Sequence, residues 1–192
     1  MTAKTLFKEL KILKAYKKDR VRLGVAAVEH DLLADLIEFS RAQSEVSHQA
    51  CWCLEQSFLI HEKECYPYLA NIAALFTEPI NSSGMRSLVK IAYICCKKYY
   101  GKRTHEIEGF LNRNSREHML EGCFRTLIEH EGKTANQAFA TRALFDLGKE
   151  FEWIHPELKI KIEQIMDCDP TSGYRACGKD ILIKIESYQL KN

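Results

Sequence analysis

The stretch Cys51-Trp52-Cys53, followed by His61 and Cys65, holds the densest run of metal-ligand residue types in the chain. A zinc centre needs four such ligands converging tetrahedrally. On a helix, residues i and i+2 point about 200° apart, so Cys51 and Cys53 cannot share an ion, and no metal or other cofactor is expected. A second pair, Cys95-Cys96, is followed by Lys97 and Lys98, and a nearby cation can lower a thiol pKa. Both cysteines fall on an apolar helix face, where thiols act as small buried hydrophobes. His105 with Glu106 and Glu108, and Glu117 with His118, supply acid–base residue types. Adjacent positions on a helix do not face each other, so these read as solvated polar faces.

The segment Lys97-Lys-Tyr-Tyr-Gly-Lys-Arg103 joins four cations to two tyrosines. Phosphate contacts with aromatic stacking are the chemistry of nucleic-acid binding. Lys97, Lys98, Lys102 and Arg103, extended by Arg113, Arg116 and Arg125, are therefore candidate anion contacts. Glu106, Glu108, Glu117 and Glu121 interrupt the patch. A helix C-terminus also favours lysines for its dipole.

The elements that must position these residues read as helices throughout. In the segment after residue 83, Met85, Leu88, Val89, Ala92, Cys95, Cys96 and Tyr99 share one face, and Arg86, Lys90 and Lys97 another. Leu120, Cys123 and Leu127, with Phe124 and Ile128, repeat the apolar pattern. No alternating run is bounded by hairpin turns, so no sheet is predicted. Roughly eleven helices are expected, over 4–18, 19–29, 31–42, 45–60, 64–77, 83–99, 104–112, 115–130, 134–149, 156–167 and 172–188. The linkers between them, such as 129–134, are too short to divide the chain. A single domain over 1–192 is expected: a basic capping helix at 1–18, helix pairs over 19–171 and a closing helix at 172–192.

Internal repetition organises these helices. His-Gln-Ala at 48–50 is answered by Asn-Gln-Ala at 136–138, an offset of 88. Pro67-Tyr-Leu69 is answered by Pro156-Glu-Leu158, and SGMRSLVK at 83–90 by SGYRACGK at 172–179, both at an offset of 89. Ser83 and Ser172 then read as helix N-caps. Pro67 and Pro156 read as first-turn residues, where a missing N–H costs nothing.

The segments HQACWCLEQSFLIHEKECYPYLANIAALF (48–76) and NQAFATRALFDLGKEFEWIHPELKIKIEQIM (136–166) resemble HEAT/armadillo-type α-helical repeats. The ending SGYRACGKDILIKI (172–185) resembles the closing helix of short bacterial repeat proteins, some of them labelled adenylosuccinate-lyase-like. The resemblance covers most of residues 20–188, departs from the pattern at 101–133, and implies an α-α superhelix. Ala50, Ala138, Ala140 and Ala176 would permit close helix approach. Leu6, Phe7, Leu10 and Leu13 would seat the N-terminal helix on the first repeat.

Ser82-Ser-Gly-Met85 also resembles the signature loop of the fumarase and adenylosuccinate lyase superfamily, where a serine removes a proton. That loop continues Met-Pro-x-Lys. Here Arg86 follows Met85, Leu88 stands at the lysine position, and the second copy lacks the methionine. Lyase activity is rejected on this pattern. The HEAT-like fold includes alkylpurine DNA glycosylases, which use a carboxylate and aromatic residues in a concave groove. Trp52, Trp153 and Asp146 are the available types, and both tryptophans read as packing residues.

Charge is uneven. Residues 1–22 hold eight Lys/Arg against Glu9 and Asp19, net +6, while the remainder holds 20 basic and 24 acidic residues, net −4. Such asymmetry can mark an anionic partner; the plainer reading, a solvated terminal helix, is preferred. No apolar run is long enough to span a bilayer, and no signal segment is read at the N-terminus. A cytoplasmic monomer with reduced thiols is expected. Its expected role is a non-enzymatic scaffold for a protein or peptide partner. The alternative is a nucleic-acid-binding or glycosylase-like protein using basic patches.

Overall fold

A computed structural model describes residues 1–129 and 134–190, and every regular element among them is helical. The α-helices are α1 (Ala3–Ile12), α2 (Lys17–Glu29), α3 (Leu33–Phe39), α4 (Ser47–Ile60), α5 (Glu62–Cys65), α6 (Leu69–Ala74), α7 (Ser82–Tyr99), α8 (Arg113–Glu129), α9 (Thr134–Leu147), α10 (Ile154–Asp167) and α11 (Ser172–Gln189). Three single 3-10 turns lie at Tyr66–Tyr68, Leu75–Thr77 and Glu106–Gly109. The linker expected at 129–134 falls largely outside the described residues.

Five helices form a row in which each packs on the next: α2 on α4, α4 on α7, α7 on α9 and α9 on α11. A second set lies against this row. In it α3 packs on α4, α8 packs on α6 and α9, and α10 packs on α9 and α11. The buried apolar residues form one cluster running from Leu6 to Ile185. Each large side chain in it contributes about 1.5–3 kcal/mol relative to exposure.

The 89-residue repeat shows in the burial. Met85, Leu88, Val89, Ala92 and Cys96 of α7 are buried, and so are the residues 89 positions later: Tyr174, Cys177, Gly178, Ile181 and Ile185 of α11. α4 packs on α7, and α9 packs on α11. Close approach comes from small residues. A Cβ at Gly24 would lie 2.6 Å from the Cys53 carbonyl oxygen, so only glycine lets α2 sit this near α4. Ser57 Oγ seals the contact by donating to the Gly24 carbonyl at 2.8 Å. Ala50, Ala138 and Ala140 are buried as expected, whereas Ala176 is exposed.

Several expected boundaries move. The helix expected over 4–18 stops at Ile12, because Leu6 and Leu10 are its buried anchors and residues 14–16 are exposed. The span 31–42 contracts to Leu33–Phe39, after Asp31 takes a left-handed φ of 55° behind α2. The span 64–77 breaks into short turns around Pro67, which has no N–H to donate. The span 104–112 reduces to one 3-10 turn. The expected caps are also corrected by position. Asn81 Oδ1 caps α7 by accepting from the N–H groups of Ser83 and Gly84, both at 3.0 Å. Thr171 Oγ1 caps α11 by accepting from the Tyr174 N–H. Ser83 and Ser172 lie just inside their helices, and Pro156 does sit in the first turn of α10.

Candidate anion-binding face

The residues expected to contact anions are brought close along the chain, but most are spent on internal pairs. Arg116 is buried, 7% exposed. Its Nε and Nη2 donate to the two carboxylate oxygens of Glu150 at 2.7 and 2.8 Å, and its guanidinium lies 4.4 Å from the Tyr99 ring centre. The Tyr100 hydroxyl donates to the same carboxylate. The Arg116 hydrogen bond holds the Glu150 carboxyl below its usual range. Arg116 is thus a structural cation, and its expected place on a phosphate-binding surface is corrected. Lys98 pairs with Glu62. Arg113 bonds Glu117 at 2.9 Å, and Arg125 donates to the carbonyls of Phe76 and Glu78. Lys102 and Arg103 are exposed in the turn after α7, and Lys97 is exposed on α7 itself.

A different cationic surface is assembled across the helix row. Arg86, Lys90, Tyr93 and Lys97 stand at intervals of 4, 3 and 4 residues, so the helical period places them on one stripe of α7. At one end of this stripe, a cleft of about 460 Å3 is lined by Lys17, Arg20 and Val21 of α2, Glu55, Gln56, Leu59 and Ile60 of α4, and Arg86 and Lys90 of α7. Glu55 is its one carboxylate. Lys90 Nζ donates to it at 2.6 Å and Ser87 Oγ at 2.6 Å. Among the described residues, Lys17, Arg20 and Arg86 have no carboxylate partner. Arg20 lies 5.8 Å from the Trp52 ring centre, and its Nε is buried without a hydrogen bond.

At the other end of the stripe a second hollow is lined by Tyr93, Lys97, Arg142, Phe145, Asp146, Ile181 and Lys184. Lys97 and Arg142 lie 5.8 and 5.9 Å from the Tyr93 ring centre, and Phe139 packs beside that ring at 5.9 Å. Asp146 is bonded by Lys149 at 2.5 Å and Lys184 by Asp180 at 2.7 Å. Of the surface residues expected from sequence, only Lys97 belongs to this face. The periodicity of Arg86, Lys90 and Lys97 was the available signal for the rest.

The remaining chemical types are placed apart. Cys51, Cys53 and Cys65 are buried and His61 is half-buried, its Nδ1 3.9 Å from Glu64. Among the described residues no group of three or more His, Cys, Asp or Glu side chains could hold a metal. Burial pushes the Cys51 and Cys53 thiols up to about 12, and raises Cys95 and Cys96 as well, so the thiolate is disfavoured at each. Glu108 caps the His105 N–H, Glu106 pairs with Lys63 and Glu117 with Arg113. Trp52 packs as expected, donating its indole N–H to Ser83 Oγ at 3.2 Å. Trp153 does not: it is 54% exposed and stacks on Phe124 at 5.6 Å. With Leu120, Phe124 and Ile128 it lines an open apolar groove between α8 and α10, whose charged lining is Glu121, Glu157 and Arg125. Trp52, Trp153 and Asp146 therefore do not converge on one site.

No helix among the described residues is long and apolar enough to cross a membrane. No protein-family model, curated protein or solved structure matches the chain.

Proposed function

We propose that this protein is a non-enzymatic helical-repeat module of the HEAT/armadillo kind that binds nucleic acid along its α2–α4–α7–α9–α11 row. One observation carries this reading: the Arg86–Lys90–Tyr93–Lys97 stripe joins two cation-rich hollows on a chain whose residues beyond 22 are net acidic. Unpaired cations release counterions when they meet phosphates, which gives affinity without sequence reading. Tyr93 and Phe139 offer aromatic faces beside them. On the face Asp146 is tied to Lys149 and Glu55 to Lys90 and Ser87. Carboxylates held by internal partners support a binding role in preference to a glycosylase. Fluorescence anisotropy with labelled single- and double-stranded DNA and RNA tests it. The expected result is binding that weakens steeply with salt. Absence of binding even in low salt rejects it.

A second reading, a scaffold for a protein partner, is favoured by the groove at Leu120, Phe124, Ile128 and Trp153. Exposed tryptophan in an apolar groove is the chemistry of a binding anchor. Glu121 and Glu157 outnumber Arg125 in the lining, and Arg125 donates to the Phe76 and Glu78 carbonyls, so the groove suits an amphipathic peptide helix with basic flanks. Binding of such a peptide should change Trp153 fluorescence and be lost in Trp153→Ala. An unchanged spectrum over a full titration rejects this reading.

A further inference from the structure

We propose that the cleft between α2, α4 and α7 is a seat for a phosphate monoester, supplied by the end of a nucleic-acid strand. The strand as its source rests on the function proposed above, while the seat itself rests on the cleft alone. Lys17, Arg20, Arg86 and Lys90 line one cavity of about 460 Å3, and Glu55 is the only carboxylate in its lining. Four cations against one carboxylate leave a formal excess of three positive charges. Glu55 is already saturated by Lys90 and Ser87, so it orients Lys90 and leaves the other three cations uncompensated.

Such convergent charge costs free energy unless an anion neutralises it. A phosphodiester brings one negative charge, whereas a terminal monoester brings about 1.5–2 and three acceptor oxygens. The monoester is the better match to a closed set of cations. An extended stripe suits diesters met one at a time. Arg20 supplies the most specific feature. Its guanidinium lies 5.8 Å from the Trp52 ring centre, and with Nε buried only its terminal nitrogens are left for a ligand in the cleft. The two terminal nitrogens of a guanidinium can meet two phosphate oxygens at once.

The walls fit the rest of a nucleotide. Val21, Leu59 and Ile60 form an apolar side, with Leu59 43% and Ile60 48% exposed. From Arg86 to Lys97 the stripe runs roughly 16 Å along α7, long enough for a strand to meet more than one phosphate. A strand whose end enters the cleft therefore continues over Tyr93 and Lys97.

The test compares one oligonucleotide sequence carrying a 5′-phosphate, a 3′-phosphate or neither, with a nucleoside monophosphate and inorganic phosphate as small probes. The expected result is about tenfold tighter binding of a phosphorylated end. That preference should vanish in Arg86→Gln, an exposed position whose change leaves folding intact, and in Arg20→Gln checked by circular dichroism. The small probes should compete for the seat and raise the melting temperature of the native protein. Equal binding of all three oligonucleotides overturns the seat and leaves the nucleic-acid face standing. Stabilisation by the mononucleotide without binding of any strand upholds the seat and overturns the nucleic-acid reading. If neither strands nor small phosphates bind, both fall.

Discussion

Two groups of cations on this chain look alike in composition and differ in what surrounds them. Around residues 97–116, Lys98, Arg113 and Arg116 each meet a carboxylate of the same chain, and Arg116 is also stacked on Tyr99. In the cleft, Lys17, Arg20 and Arg86 come from two helices and meet none among the described residues. The first group stabilises the fold, because a partly buried ion pair fixes α8 against the end of α9. The second stabilises nothing internal, and its charge remains available to a ligand. A cluster of basic residues in sequence is therefore a weaker sign of an anion site than a cluster that has no acids assigned to it in space.

The comparison breaks most visibly at Arg116. Arg116→Ala leaves the half-buried Glu150 charge without its cation, with only the Tyr100 hydroxyl still donating to it, and should cost about 3 kcal/mol in urea unfolding. A loss below about 1 kcal/mol would show that the pair is only a surface contact. Gly24→Ala should come next, at about 1–3 kcal/mol, since its Cβ has no room beside the Cys53 carbonyl. Because α2 would shift away from α4, the variant should also weaken phosphate binding in the cleft. Retained binding at full affinity would mean that α2 does not shape the site.

The pH dependence of stability sharpens the same contrast. Arg116 depresses the Glu150 pKa, so its contribution is present above the unfolded carboxylate value near 4.5 and is lost as pH falls through the lower folded value. Thermal melts between pH 6 and 2 should show this loss in the wild type. Glu150→Gln should lack that component of it, and identical profiles would remove the pair from the account. The smallest effect belongs to Arg86→Gln. With no internal partner it should change unfolding free energy by less than about 0.5 kcal/mol.

Much of the architecture was legible in the sequence, for reasons that can be located. The buried face of α7 follows from spacing at three and four residues, and the repeat follows from three anchors at offsets of 88, 89 and 89. The α7 cap was missed by two residues, because Asn81 and Ser83 are both good capping types and only backbone geometry decides between them. The pattern of Leu120, Cys123 and Leu127, with Phe124 and Ile128, divides: Cys123 and Leu127 are buried, Leu120 and Phe124 are partly buried, and Ile128 is exposed. Period alone does not say which of two adjacent apolar stripes meets a neighbour. Met119, Cys123 and Leu127 went inward, with Gly122 against Phe76. The candidate site was the least legible part. Arg116 meets Glu150 34 residues away, and Arg20 and Arg86 share a cleft across 66 residues. No local pattern carries either relation.

The most direct measurement removes two charges at a time from two places. Arg86→Gln/Lys97→Gln and Lys102→Gln/Arg103→Gln take the same charge from the chain, the first pair from the α7 stripe and the second from the turn beyond it. Anisotropy titrations with a labelled single strand at low and moderate salt compare them with the wild type. The account predicts that the first variant loses most of its affinity and flattens its salt dependence, while the second stays near the wild type. Equal losses in both, or a loss confined to the second, would contradict it.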